Sequence, residues 1–191
     1  MKRGILCLVA LLAPTVVAAQ EADVAAVDAT AEAPTDAAAL IADASAAAPA
    51  SISDGATVMD WEGNTLREGS NGWTCMPTPP GLPGKAPMCL DGQWTKWAHA
   101  WMNRTQPEIT AVGVGYMLAG DTGASNSDPF ATGPEAVDDW VDAGPHIMIV
   151  VPDGADLEAV PTDPAAGTWV MWKGTPYAHI MVATEGLEMA E

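Results

Sequence analysis

Apolar and polar positions alternate with a period of two in several short runs, and one run of period 3.6 lies among them. Ala56 to Asp60 and Thr65 to Glu68 flank Trp61-Glu62-Gly63-Asn64, which predicts a hairpin around a Gly/Asn turn. Trp73-Thr74-Cys75 reads as a short extended piece. The proline-rich stretch Pro77 to Pro87 that follows cannot be helical. Asp91 is placed to cap a helix over about Gln93 to Asn103, where Trp94, Trp97, Ala98, Trp101 and Met102 share one face. Val112, Val114, Tyr116 and Leu118 then alternate with Gly113, Gly115 and Met117. This is a strand with one bulky face and one bare one, and something flat, such as an indole, should lie over the glycines.

Ala119 to Pro134 is a long polar loop, and Pro134 to Val141 has room for a helical turn. Pro145 to Val151 reads as a strand ended by Pro152-Asp153-Gly154, after which Asp153 is placed to cap a short helix through Val160. Trp169 to Trp172 and Tyr177 to Ala183 form a second hairpin around Lys173-Gly174-Thr175-Pro176. The expected fold is α+β: a mainly antiparallel sheet with hairpins, one amphipathic Trp-rich helix and long loops. The α/β alternation is too weak for a doubly wound sheet.

The N-terminal part breaks this pattern. Lys2 and Arg3, the apolar run Ile5 to Val17 and the small residues Val17-Ala18-Ala19 have the form of a cleavable secretory signal over residues 1–19. That run is shorter than the roughly 20 apolar residues a membrane span needs and carries Pro14, so no span is expected after cleavage. Residues 20–50 are rich in Ala and Asp, carry six acids and no base, and offer almost nothing larger than alanine to bury. They are expected to be a disordered acidic tether, with a nascent helix around Asp36 to Ala48 as the exception. Residues 51–191 are expected to form a single folded domain.

Composition narrows the function classes. The 191 residues carry a formal charge of -18, which repels nucleic acid and anionic membrane surface and suits a cationic protein or a small molecule as partner. Beyond the signal the only cysteines are Cys75 and Cys89, which bracket the proline-rich loop. In a secreted or periplasmic protein that pair is most simply a disulfide.

The candidate chemistry centres on a repeated tripeptide, His146-Ile147-Met148 and His179-Ile180-Met181, in two predicted strands. Each sends an imidazole and a thioether to one sheet face, so adjacent strands would gather His146, Met148, His179 and Met181 as soft or borderline ligands suited to copper, above all Cu(I). Methionine is equally an ordinary core filler and histidine a common buried residue, so a non-catalytic structural or interaction domain is the competing reading. Asp121-Thr122-Gly123 resembles the catalytic triplet of aspartic proteases, but it occurs once and two residues, Ala119-Gly120, separate it from the preceding strand. Asp121, Asn126 and Asp128 put oxygen ligands on one loop without the order of an EF-hand. A secreted hydrolase pairing a histidine with Asp121 or Asp128 is the catalytic alternative, although no G-x-S-x-G, H-E-x-x-H or Walker A motif is present.

Three segments carry a family resemblance: Asn71 to Met76 (NGWTCM), Gly144 to Asp153 (GPHIMIVVPD) and Trp172 to Val182 (WKGTPYAHIMV). Together they resemble an exported bacterial family without an assigned activity, over about Ala56 to Val182. The resemblance implies that the cysteine region and both His-containing strands belong to one fold. It implies no substrate or cofactor.

Overall fold

Most strands begin within two residues of an expected extended run, whereas Met88–Leu90, Ala124–Ser125 and Trp140–Val141 are strands that no such run announced. A computed structural model describes residues 33–152 and 155–184. Residues 1–19 of the expected signal, 20–32 of the expected tether, and Asp153 lie outside the described residues. In chain order the elements are helices α1 (Ala33–Ser45) and α2 (Ala50–Ser53), and strands β1 (Thr57–Met59), β2 (Thr65–Arg67), β3 (Thr74–Met76) and β4 (Met88–Leu90). Helix α3 (Gly92–Met102) and strand β5 (Gly113–Met117) follow. The short pair β6 (Ala124–Ser125) and β7 (Trp140–Val141), then β8 (His146–Val150), β9 (Thr168–Met171) and β10 (His179–Ala183), follow among the described residues, with 3₁₀ turns at Pro134–Ala136, where a helical turn was expected, and at Pro164–Ala166.

Eight strands form one sheet in the order β2-β1-β3-β4-β5-β8-β10-β9, and β6 pairs with β7 apart from it. Every neighbouring pair of the large sheet is antiparallel except β1 with β3. The fold is therefore α+β, with both predicted hairpins present as β1–β2 and β9–β10. Cys75 and Cys89 sit opposite each other on β3 and β4 and are joined in a disulfide.

Helix α3 covers one face of the sheet. Asp91 Oδ1 accepts from the amides of Gln93 and Trp94, and its Oδ2 accepts from Val114 N at 2.7 Å, so one carboxylate both caps the helix and ties it to β5. Trp94 and Trp97 are buried, whereas Met102, at the end of the predicted stripe, is 58% exposed. The indole over the bare strand is Trp94: a Cβ built on Gly115 would stand 3.4 Å from its Cδ2 and 3.1 Å from both Leu90 Cδ2 and Met148 Cε. The glycine makes room for the ring to lie close to the backbone.

The opposite face corrects the expectation for the acidic stretch. Residues 33–50 are not a tether: α1 and the turn after it pack Ala44, Ala47 and Ala48 into a second core with Val58 and the Cys75–Cys89 disulfide. The reason is the size of the residues. Alanine buries little area per side chain, but a row of alanines lets the helix backbone approach the disulfide closely. Polar anchors then add to it: Asp43 accepts from Thr78 N at 2.7 Å and pairs with Lys85, and Leu118 N donates to Ala47 O. The short helix expected through Val160 is absent from the described residues 155–160, and a single 3₁₀ turn at Pro164–Ala166 leads into β9 instead.

Candidate functional site

Strand pairing places the two His-x-Met triplets side by side. β8 and β10 are neighbours, with Met148 opposite Met181 and His146 opposite Ala183. All four candidate side chains therefore point to the α3 face. The thioethers occupy the centre, and the imidazoles lie four strand positions apart at opposite ends, roughly 13 Å along the strands at about 3.3 Å per residue.

The same registers add methionines to this face. Met117 on β5 is directly opposite His146, and Met171 on β9 is directly opposite His179. Met76 and Met88 continue the row across β3 and β4. Six strands thus contribute one inward methionine each. With α3 and the 119–131 loop they enclose a cleft of about 340 Å³, lined also by Trp94, Trp97, Trp101, Trp172, His146, His179 and Asp121. Seven of the chain's ten methionines reach it, the seventh being the exposed Met102. The sequence signal for the added residues was the parity of each methionine within its strand. It could be read only once the pairing was known.

Both imidazoles lie at the floor, His146 1% and His179 2% exposed. Each is oriented by its own strand entrance. His146 Nδ1 donates to Gly144 O at 2.8 Å, and His179 Nδ1 donates to Tyr177 O at 2.9 Å, because a carbonyl can only accept. Among the described residues no hydrogen bond reaches either Nε2. His179 is boxed edge-to-face by the indoles of Trp94, Trp97 and Trp172, at centroid distances of 5.0 to 5.3 Å. Burial pulls its pKa down to about 4, so it is neutral at pH 7. The box is braced by indole hydrogen bonds, Trp94 Nε1 to Met148 O and Trp172 Nε1 to Ser125 O, whereas the buried Trp97 Nε1 has no partner among the described residues.

His146 has different company. Asp121 lines the cleft and interacts with it electrostatically. Burial holds the Asp121 carboxyl above the usual carboxylate range, against the pull of His146 and of the amides of Thr122 and Gly123. The other two oxygen candidates do not join it. Asn126 is a strut: its Oδ1 accepts from Trp169 Nε1 and its Nδ2 donates to Thr162 O. Asp128 is exposed on the cleft wall and accepts from Phe130 N. Among the described residues no group of three or more His, Cys, Asp or Glu side chains is placed to hold a metal ion. A site on this face would therefore draw on thioethers. Asp121 and His146 share no direct hydrogen bond among the described residues, and the Ser125 hydroxyl donates to Asp139 Oδ1 at 2.8 Å rather than to an imidazole.

Among known proteins, no family model, no curated protein and no solved structure matches the chain. Its chemistry has to be read from the cleft itself. Among the described residues no helix is long and apolar enough to cross a membrane.

Proposed function

We propose that the chain is an exported soft-metal binding protein that holds Cu(I) on the methionine- and histidine-bearing face of its sheet. One observation carries this reading: six adjacent thioethers and two imidazoles, whose Nε2 atoms accept or donate no hydrogen bond among the described residues, converge on one apolar cleft. Thioether and imidazole are donors that favour Cu(I), and neither carries charge in its ligating form. The cost of moving an ion out of water rises with the square of its charge, so an apolar cleft whose carboxyls are Asp121 and the exposed Asp128 favours a monovalent cation over Zn²⁺ or Cu²⁺. The disulfide supports an oxidising compartment, where cysteine sulfurs are tied up and thioethers remain as soft donors.

The test is an anaerobic titration of the apoprotein with Cu(I) against a chromogenic Cu(I) chelator. The protein is expected to withdraw copper from the chelator, and the His146→Ala/His179→Ala double variant is expected to lose this ability. Copper left entirely on the chelator by the folded wild-type protein would end the reading. A second reading, an apolar small molecule with a polar head, is favoured by the cleft volume and by the unpaired Trp97 Nε1 beside His179. It predicts a blank copper titration.

A further inference from the structure

The β8–β10 pair has a local two-fold relation that passes between Met148 and Met181, because the two identical triplets run antiparallel with those methionines in register. The relation extends outward by one strand on each side. His146 is two residues from Met148 and directly opposite Met117, and His179 is two residues from Met181 and directly opposite Met171. Side chains opposite each other on adjacent strands have Cβ atoms about 5 Å apart, within reach of one ion, and i, i+2 neighbours share the face. The two imidazoles start four strand positions apart and each is held by its own carbonyl partner, Gly144 O and Tyr177 O, although the rings still interact electrostatically.

We infer that the face holds two soft-metal half-sites, His146/Met117/Met148 and His179/Met171/Met181, and takes two monovalent soft cations per chain. This rests on the soft-metal reading above. The surroundings make the half-sites unequal. The first shares the cleft with the Asp121 carboxyl, and the second lies under three indoles. A metal ion at the second, where three indoles pack on the imidazole, should quench indole fluorescence more than one at the first, where among the described residues the nearest indole contact is that of Trp94 with Met148.

Native mass spectrometry of the full chain loaded with Ag(I), with tryptophan fluorescence recorded in parallel, tests this. Two bound ions are expected for the wild type. His146→Gln and His179→Gln should each retain one, with the larger part of the quench lost in His179→Gln. Met117→Leu and Met171→Leu conserve volume and keep the core filled, so they test the same claim if a histidine variant fails to fold. Each should weaken one ion by tenfold or more and leave the other. A single wild-type ion that either histidine variant abolishes would overturn the two-site arrangement while leaving the soft-metal reading standing. No bound ion would overturn both.

Discussion

His179 is the residue at which burial, orientation and chemistry meet. Its Nδ1 is committed to Tyr177 O, three indoles exclude water from its ring, and its pKa falls to about 4 from 6.5. In the unfolded chain the same imidazole takes up a proton below about pH 6.5. Between those values the unfolded state binds more protons, so stability is fully present above pH 6.5 and is lost as pH falls toward 4. The metal-free protein should lose roughly 3 kcal/mol over this window from this one group. Urea unfolding at pH 7.5 and 4.5 measures it, and a His179→Leu variant should lose that part of the dependence. An equal pH dependence in both proteins would contradict a neutral buried imidazole. At this scale the repeated His-x-Met triplet was legible in the sequence, because parity within a strand sets the face. Met117 and Met171 were not, because the residue opposite a histidine depends on which strands pair.

At the scale of elements, α3 carries most of the cleft wall, and its placement depends on Asp91. One carboxylate serves three amides, two in the first turn of the helix and one on β5. Asp91→Ala should cost about 2 kcal/mol or more, above an ordinary cap, because Val114 N also loses its partner. The change should appear as a lower urea midpoint, and a cost near zero would mean that helix and strand are held together by indole packing alone. The cap and the tryptophan stripe were readable in advance, since an Asx residue before a 3.6-period run is a local signal. A helix around Asp36 to Ala48 was expected, but its packing was not, for an equally physical reason. Its alanines were weighed by the area each can bury, whereas their role is to let a backbone approach the Cys75–Cys89 disulfide and Val58. Close approach between elements leaves no hydrophobic periodicity in the sequence. The parallel β1–β3 pairing was likewise invisible, since it joins strands separated by the β2 hairpin arm.

For the molecule as a whole, two cores of different character lie on the two faces of one sheet. The face beneath α1 is closed by alanines and the disulfide. The face beneath α3 is built from methionines and indoles around a cleft, using polarizable and adaptable side chains where a purely structural core would favour branched aliphatics with fixed rotamers. The chain's charge of -18 adds a negative field that raises the local concentration of cations. The antiparallel α+β class and the disulfide could be anticipated from strand signals and cysteine count. The cleft required the three-dimensional register. Copper K-edge X-ray absorption of the Cu(I)-loaded protein addresses the central claim most directly, because it identifies the atoms bound to the metal. Sulfur and imidazole nitrogen scatterers together are predicted, with the sulfur contribution reduced in a Met117→Leu/Met171→Leu variant. A shell of nitrogen and oxygen alone, or sulfur scattering unchanged in that variant, would contradict the account.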